Sequence, residues 1–266
     1  MQLFIRHETV YRYEHPVKYS VQTLHLTPRS DPGQRAIQWS ITAPGRRLEQ
    51  IDAHGNVSHL LTIDEPHLEI RILVNGVVET SDAESRQEAG PLSHLAYLAP
   101  TPLTVPSDRL RAFALANLPS DPSPRRRALA LAEAVHRAVR YKPGITEVQD
   151  SAADVFEHGL GVCQDHAHVF IAACRSVGIP ARYVSGYLYT GDMADIASHA
   201  WADVWLGKDE GWRSIDVTHR RIAARSYCRL AIGRDYLDAA PVRGVRRGGG
   251  GESMQATVSV AESAQQ

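Results

Sequence analysis

The hydrophobic pattern changes period along the chain, and that change restricts the folds open to it. From residue 2 to about residue 80, LFIRHETVYRY alternates apolar and polar positions, and AIQWSITA, VSHLLTI and LEIRILVNGVVET are rich in β-branched and aromatic residues. Turn chemistry separates these runs at Arg29 to Gly33, Ala43 to Gly45 and His54 to Asn56. At least five short strands predict a small all-β domain over residues 1–82, built as a sandwich or barrel. Residues 83–107 turn polar and are then punctuated by Pro91, Pro100, Pro102 and Pro106, which reads as a linker.

Beyond the linker the period becomes helical. Helices are predicted over Asp108 to Leu118 and over Pro124 to Tyr141, the second with Ala128, Leu131, Ala132, Val135 and Val139 on one face. A short helix follows over Ser151 to Phe156, and a longer one over Val162 to Val177, stopped by Gly178 with Pro180 beyond it. The strands RYVSGYLYT, HAWADVWL, GWRSIDV and YCRLAIG come next, so residues 108–240 read as helices followed by an antiparallel sheet, an α+β class. Residues 241–266 read as a Gly-rich flexible or tight-turn element and a final strand.

Composition narrows the partners. A formal net charge of -1 and a pI near 6.9 leave no basic field to hold phosphate backbones or anionic lipid, so neither nucleic acid nor membrane is expected. MQLFIRHETVYRYEHP contains no signal-peptide core, and no run of 18 apolar residues occurs in the chain. The three cysteines, Cys163, Cys174 and Cys228, are too few and too odd for a disulfide framework, which fits reduced thiols in a cytoplasm. Oligomeric state is not written in these features.

The stretch GVCQDHAHVFIAACRSVG, residues 161–178, gathers a cysteine, an aspartate and two histidines before turning apolar. Placed in the first helical turn, Cys163 would lie beside unpaired N–H groups and the positive end of the helix dipole, which favour the thiolate, the reactive form. A metal site is not expected. At about 100° per residue His166 lies within about 60° of Cys163, whereas His168 points about 140° from Cys163 and about 160° from His166. Neither HExxH nor CxxC occurs anywhere in the chain. Asp165 suits the helix N-terminus, while Cys174 and Cys228 read as packing residues.

A thiol nucleophile needs a proton acceptor held by a third group. His199 opens the strand HAWADVWL, 36 residues after Cys163, and Asp216 closes the next strand, 17 residues later. Antiparallel pairing through GKDEG would set the two near each other. His219 is the rival base, and it follows the strand-end carboxylate instead of facing it. Trp201, Trp205 and Trp212 read as core or cleft-wall packing.

GVCQDHA, GIPARYVSGY, SHAWADVW and GWRSIDVTH resemble the active-site blocks of the transglutaminase-like superfamily. The N-terminal strands and the tail resemble its bacterial branch with an extra N-terminal β domain. The resemblance implies a papain-like cysteine protease core with Cys163 as nucleophile, His199 as general base and acid, and Asp216 as the group orienting His199. It implies peptide or isopeptide amide cleavage by a cytoplasmic hydrolase, with a peptide or protein substrate and no cofactor. The backbone N–H of Cys163 is a natural oxyanion donor, with Tyr141 or Gln164 as candidate second donors. His166 and Trp201 are candidates for the cleft wall. Acyl transfer to an amine and a non-catalytic binding scaffold are the alternatives.

Overall fold

The computed structural model describes residues 1–82, 91–191 and 198–262; residues 83–90 of the expected linker and 263–266 of the expected tail lie outside the described residues. The N-terminal alternation forms strands, but the first is much longer than the alternating run. Strand β1 runs over Gln2–Leu24, followed by β2 (Gln34–Thr42), β3 (Arg46–Ile51), β4 (Val57–Ile63) and β5 (His67–Thr80). The first half of β1 pairs with β5, from Gln2 opposite Glu79 to Arg12 opposite Glu69, and its second half pairs with β4, from Ser20 opposite Ile63 to Leu24 opposite His59. The register shifts between Arg12 and Val17, around Pro16, which has no N–H to donate. One strand thus serves two sets of neighbours, and the alternation stops at Tyr13 although the strand does not.

The second half of the expected linker is packed. A 3-10 turn over His94–Leu98 buries Tyr97, and Thr101, Leu103 and Thr104 are buried after it. Helices α1 (Asp108–Asn117) and α2 (Pro124–Ala138) follow. Next come β6 (Arg140–Tyr141), α3 (Ala152–His158), β7 (Leu160–Gly161) and α4 (Cys163–Ser176). Ser107, Ser123 and Ser151 cap α1, α2 and α3, each accepting a first-turn backbone N–H. Helix α2 ends at Ala138 and not at Tyr141, because Arg140 and Tyr141 become extended and pair in parallel with Leu160 and Gly161.

Helix α4 is the centre of the core: every residue from Asp165 to Arg175 is buried. Full burial of Val169, Phe170 and Ile171 stabilises the fold by roughly 1.5–3 kcal/mol each. Gly178, with φ of 76°, ends the helix in a left-handed conformation that a side chain would strain.

Strands β8 (Ala181–Leu188), β9 (Ser198–Trp205), β10 (Trp212–Asp216), β11 (Arg221–Ile222) and β12 (Tyr227–Gly233) form an antiparallel sheet ordered β11-β10-β9-β8-β12. Ala200, Ala202 and Val204 share one hydrophobic cluster with α4, whereas Val184, Trp201 and Tyr227 form a second cluster. A short helix α5 (Tyr236–Ala239) leads to β13 (Val242–Gly248) and β14 (Glu252–Glu262). This hairpin returns to the N-terminal sheet and pairs along the other flank of β1, from Leu3 opposite Glu262 to Leu24 opposite Val242. The Gly-rich stretch supplies the end of β13 and the hairpin turn. Among the described residues no helix is long and apolar enough to cross a membrane.

The two sheets are joined by amide side chains acting as short strands. Gln34 accepts from the Arg229 N–H at 2.7 Å and donates to the Arg229 carbonyl at 2.8 Å. Asn56 does the same at Ile232, at 2.9 and 2.8 Å. Both lie against edge strand β12, whose free backbone groups would otherwise be left without partners.

A buried ion cluster ties β8, β9 and β12 together. Asp203 is fully buried and accepts from Arg182 Nε at 2.9 Å, from both Arg229 Nη atoms at 2.6 and 3.0 Å, and from the Ser214 hydroxyl at 2.6 Å. Burial alone would raise its carboxyl, but the two guanidinium groups hold it well below the usual range. Asp203→Ala removes the carboxylate shared by two buried guanidinium groups, of which Arg229 keeps Asp31 at 3.4 Å, and is expected to destabilise the protein by about 3–5 kcal/mol, measurable by urea unfolding. A loss below about 1 kcal/mol would show that the cluster adds little to stability.

Candidate active site

Cys163 is the first residue of α4, preceded by Val162 at the N-cap. Val162 has no side-chain oxygen to cap the helix. Asp165 reaches back instead, its Oδ2 accepting from the Val162 N–H and from the Thr146 hydroxyl, both at 2.7 Å. Burial pushes the Asp165 carboxyl up against the pull of those two bonds. The side-chain N–H of Gln164 donates to the Val148 carbonyl at 3.2 Å, so it is directed at the loop before α3. Both bonds anchor the 142–150 loop to the helix start, and Cys163 itself remains partly exposed.

His199 lies on β9 and Asp216 at the end of β10. The register sets Ile215 opposite Ala202, which makes Asp216 a diagonal neighbour of His199 on the same sheet face. His199 Nε2 donates to Asp216 Oδ2 at 2.7 Å, and both side chains are fully buried. The carboxylate thereby fixes a proton on Nε2. His199 Nδ1 is buried and makes no hydrogen bond to a described residue. Burial lowers the pKa of His199, but Asp216 and then Cys163 outweigh it and push the imidazole up to about 9. For Asp216, burial is outweighed by bonds from His199, His219 and Tyr227, which hold the carboxyl far below its usual range. Cys163 thus bears on His199, and His199 is bound to Asp216.

Tyr141 stands next to this group through its pairing with Gly161, two residues before Cys163. Burial and Cys163 push its phenol up, which keeps it a donor. Trp201 stacks on the His199 ring at 6.1 Å between centroids. A Cβ at Gly186 would come within 2.7 Å of that indole and 2.1 Å of the Cys228 carbonyl, so glycine is what lets Trp201 lie there.

The remaining candidates turn elsewhere. His166 is buried, with Nε2 donating to the Val139 carbonyl at 2.8 Å and Nδ1 on the Thr218 hydroxyl at 2.9 Å; this makes it a brace under α4. His168 points into the core and accepts from the Tyr236 N–H at 3.0 Å, and burial pushes it down to about 3. Cys174 and Cys228 are fully buried.

His219 binds the same carboxylate, donating from Nδ1 to Asp216 Oδ2 at 2.8 Å and from its backbone N–H to Oδ1 at 3.1 Å. Together His199, Asp216 and His219 form a group that could surround a metal ion. The contacts fit protons better. Tetrahedral ligands about 2.0–2.1 Å from zinc stand about 3.3 Å apart, whereas these atoms are 2.7 and 2.8 Å from one another and Tyr227 donates to the same oxygen at 2.6 Å.

Tyr227 and its partner Arg221 carried no signal in the sequence. Tyr227 belongs to β12, at the opposite edge of the sheet from β11, and reaches Asp216 only because its ring lies across the sheet face beside Trp201.

Comparison with known proteins gives the family. The model of the transglutaminase-like superfamily matches residues 112–217, and that of the bacterial transglutaminase-like N-terminal region matches residues 3–79. The chain belongs to the transglutaminase-like superfamily. Uncharacterized protein ML0607 of Mycobacterium leprae is 34% identical over 272 residues, covering 96% of each chain. Uncharacterized protein Rv2569c of Mycobacterium tuberculosis is 32% identical and covers 91% of this chain and 86% of its own. A solved structure of a candidate cysteine protease from Cytophaga hutchinsonii superposes with a TM-score of 0.79, at 23% identity, over 100% of this chain and 92% of that one. That likeness shows the fold: a papain-like α+β core with an N-terminal sheet. Membership of the transglutaminase-like superfamily supports a thiol-dependent enzyme.

Proposed function

We propose that the chain is a thiol-dependent acyl-transfer enzyme that cleaves peptide or isopeptide amides with water as acceptor. The supporting observation is the state of His199: Nε2 is bound to Asp216, and Nδ1 makes no hydrogen bond to a described residue while Cys163, at the start of α4, bears on the ring. His199 takes the thiol proton on Nδ1, and the sulfur attacks the amide carbon. The carbonyl π electrons move to oxygen, where the Cys163 N–H and the Tyr141 hydroxyl are the donors. Collapse restores the carbonyl and breaks the C–N bond, and the proton on Nδ1 goes to the leaving amine. A water molecule then gives a proton to Nδ1 and attacks the thioester; the C–S bond breaks to release the carboxylic acid, and the proton on Nδ1 passes to the sulfur to restore the thiol.

The acceptor is tested by product analysis on peptide and γ-glutamyl amide substrates, with and without a primary amine. Free acid as the main product in both cases is expected; a substituted amide as the main product would make the enzyme a transferase. Turnover is also expected to depend on the His199 proton. The imidazolium is intact below about 9 and loses its proton above it, so kcat/KM should fall on the alkaline side as leaving amines lose their proton donor. A profile still rising beyond that point would contradict the role of His199 as acid.

A further inference from the structure

Asp216 is held by more groups than orienting one histidine requires. Its Oδ2 accepts from His199 Nε2 at 2.7 Å, His219 Nδ1 at 2.8 Å and the Tyr227 hydroxyl at 2.6 Å. The Tyr227 hydroxyl accepts in turn from Arg221 Nε at 2.7 Å, and the Arg221 guanidinium lies 5.2 Å from the Tyr227 ring centroid. The same groups frame the base: the His219 ring is 5.0 Å and the Tyr227 ring 6.2 Å from His199, with Trp201 stacked beside it. Resting on the function proposed above, we propose that Tyr227, braced by Arg221, and His219 are positioning residues that set the orientation and the effective charge of Asp216, and through it the proton affinity of His199.

A carboxylate with a single donor can turn about its own bonds. Three donors from separate segments, converging on one oxygen, fix its plane and hence the direction of His199 Nδ1. Each donor also draws off part of the negative charge. A carboxylate serving His199 alone would hold the imidazolium proton more tightly and release it less readily to a leaving amine. Burial and the charge of Asp216 push the Tyr227 phenol up, so it remains a donor throughout the working range. The groups bearing on this site are Cys163 and His166 from α4, Asp216 and His219 at and after the end of β10, Arg221 from β11 and Tyr227 from β12.

The test is the titration of the His199 imidazole, followed by NMR in the full chain and assigned through His199→Asn. It is compared in wild type, Tyr227→Phe, His219→Ala and His219→Asn. Tyr227→Phe keeps the ring that packs on Trp201 at 5.2 Å and removes only the hydroxyl. Removal of either donor is expected to raise the His199 midpoint by on the order of half a pH unit. His219→Asn, which keeps a side-chain N–H, is expected to return it near the wild-type value. On a cleavable amide, Tyr227→Phe should lower kcat about tenfold with KM changed less than about twofold. A purely structural role predicts a lower melting temperature with the His199 midpoint unmoved. An unmoved midpoint in both Tyr227→Phe and His219→Ala overturns the proposal. The titration needs no substrate, so a wild-type protein that cleaves no amide would defeat the proposed function and leave this result standing.

Discussion

Replacing Cys163 by alanine is expected to lower amide cleavage by about three to six powers of ten while the protein stays folded. The two effects separate because of where the residue lies. Cys163 is the first residue of α4 and partly exposed, ahead of the buried shaft that runs from Asp165 to Arg175. Alanine there removes one sulfur atom from the end of the helix, where Cys163 packs only against the margin of the core, so the melting temperature should move by only about 2 °C. The chemistry loses its nucleophile entirely. Activity retained within about tenfold on peptide and γ-glutamyl amides would mean that another group attacks the carbonyl. Cys174 and Cys228 are poor substitutes, since complete burial pushes both thiols far up.

The second large effect concerns Asp216. Asp216→Ala strips the acceptor from His199 Nε2, His219 Nδ1 and the Tyr227 hydroxyl at once. Turnover should fall by about three to four powers of ten, because His199 is no longer held with its proton on Nε2 and Nδ1 toward the sulfur. Stability should fall as well, by roughly 2–4 kcal/mol, because buried donors are left without partners. Asp216→Asn is the informative comparison. Its carbonyl can still accept from His199, so it should retain more activity than the alanine variant, as Cys-His-Asn sites do. Equal loss in both would mean that charge, and not orientation, is what His199 requires of Asp216. Turnover within tenfold of wild type in Asp216→Ala would remove it from the mechanism.

Much of the fold was legible because its signals are local. Gly178 ends α4 as its position after an apolar run implies, and Ser151 caps the short helix that starts there. The pairing of β9 with β10, on which the approach of His199 to Asp216 depends, follows from one short turn. Features set by distant contacts were not legible. Nothing in RYEHPVKYS says that β1 continues past Pro16; it continues because β4 and β13 are there to pair with it. Val139 to Tyr141 keep a helical pattern, yet Arg140 and Tyr141 are extended by their pairing with β7. The tail reads in sequence as a Gly-rich element and a final strand, but nothing there says that its strands are neighbours of β1, more than two hundred residues earlier.

The site divides in the same way. The relation of Cys163, His199 and Asp216 is carried by a helix start and two adjacent strands, so their spacing signals it. The groups around Asp216 are carried by sheet order and ring packing, which no spacing encodes. His219 has the residue type of a base, and only its contacts show that it binds the carboxylate beside His199. His166 sits one turn from Cys163 and was a candidate for the cleft wall, but Val139 and Thr218 occupy both of its nitrogens.

The central claim is that Cys163 forms a thioester with the acyl part of an amide substrate. Rapid acid quenching during turnover, followed by mass measurement of the Cys163 peptide, tests it most directly. The predicted result is an adduct equal in mass to the acyl fragment, confined to Cys163, removed by hydroxylamine and absent from Cys163→Ala. Amide cleavage with no adduct on Cys163, under conditions where the second step is limiting, would contradict the account.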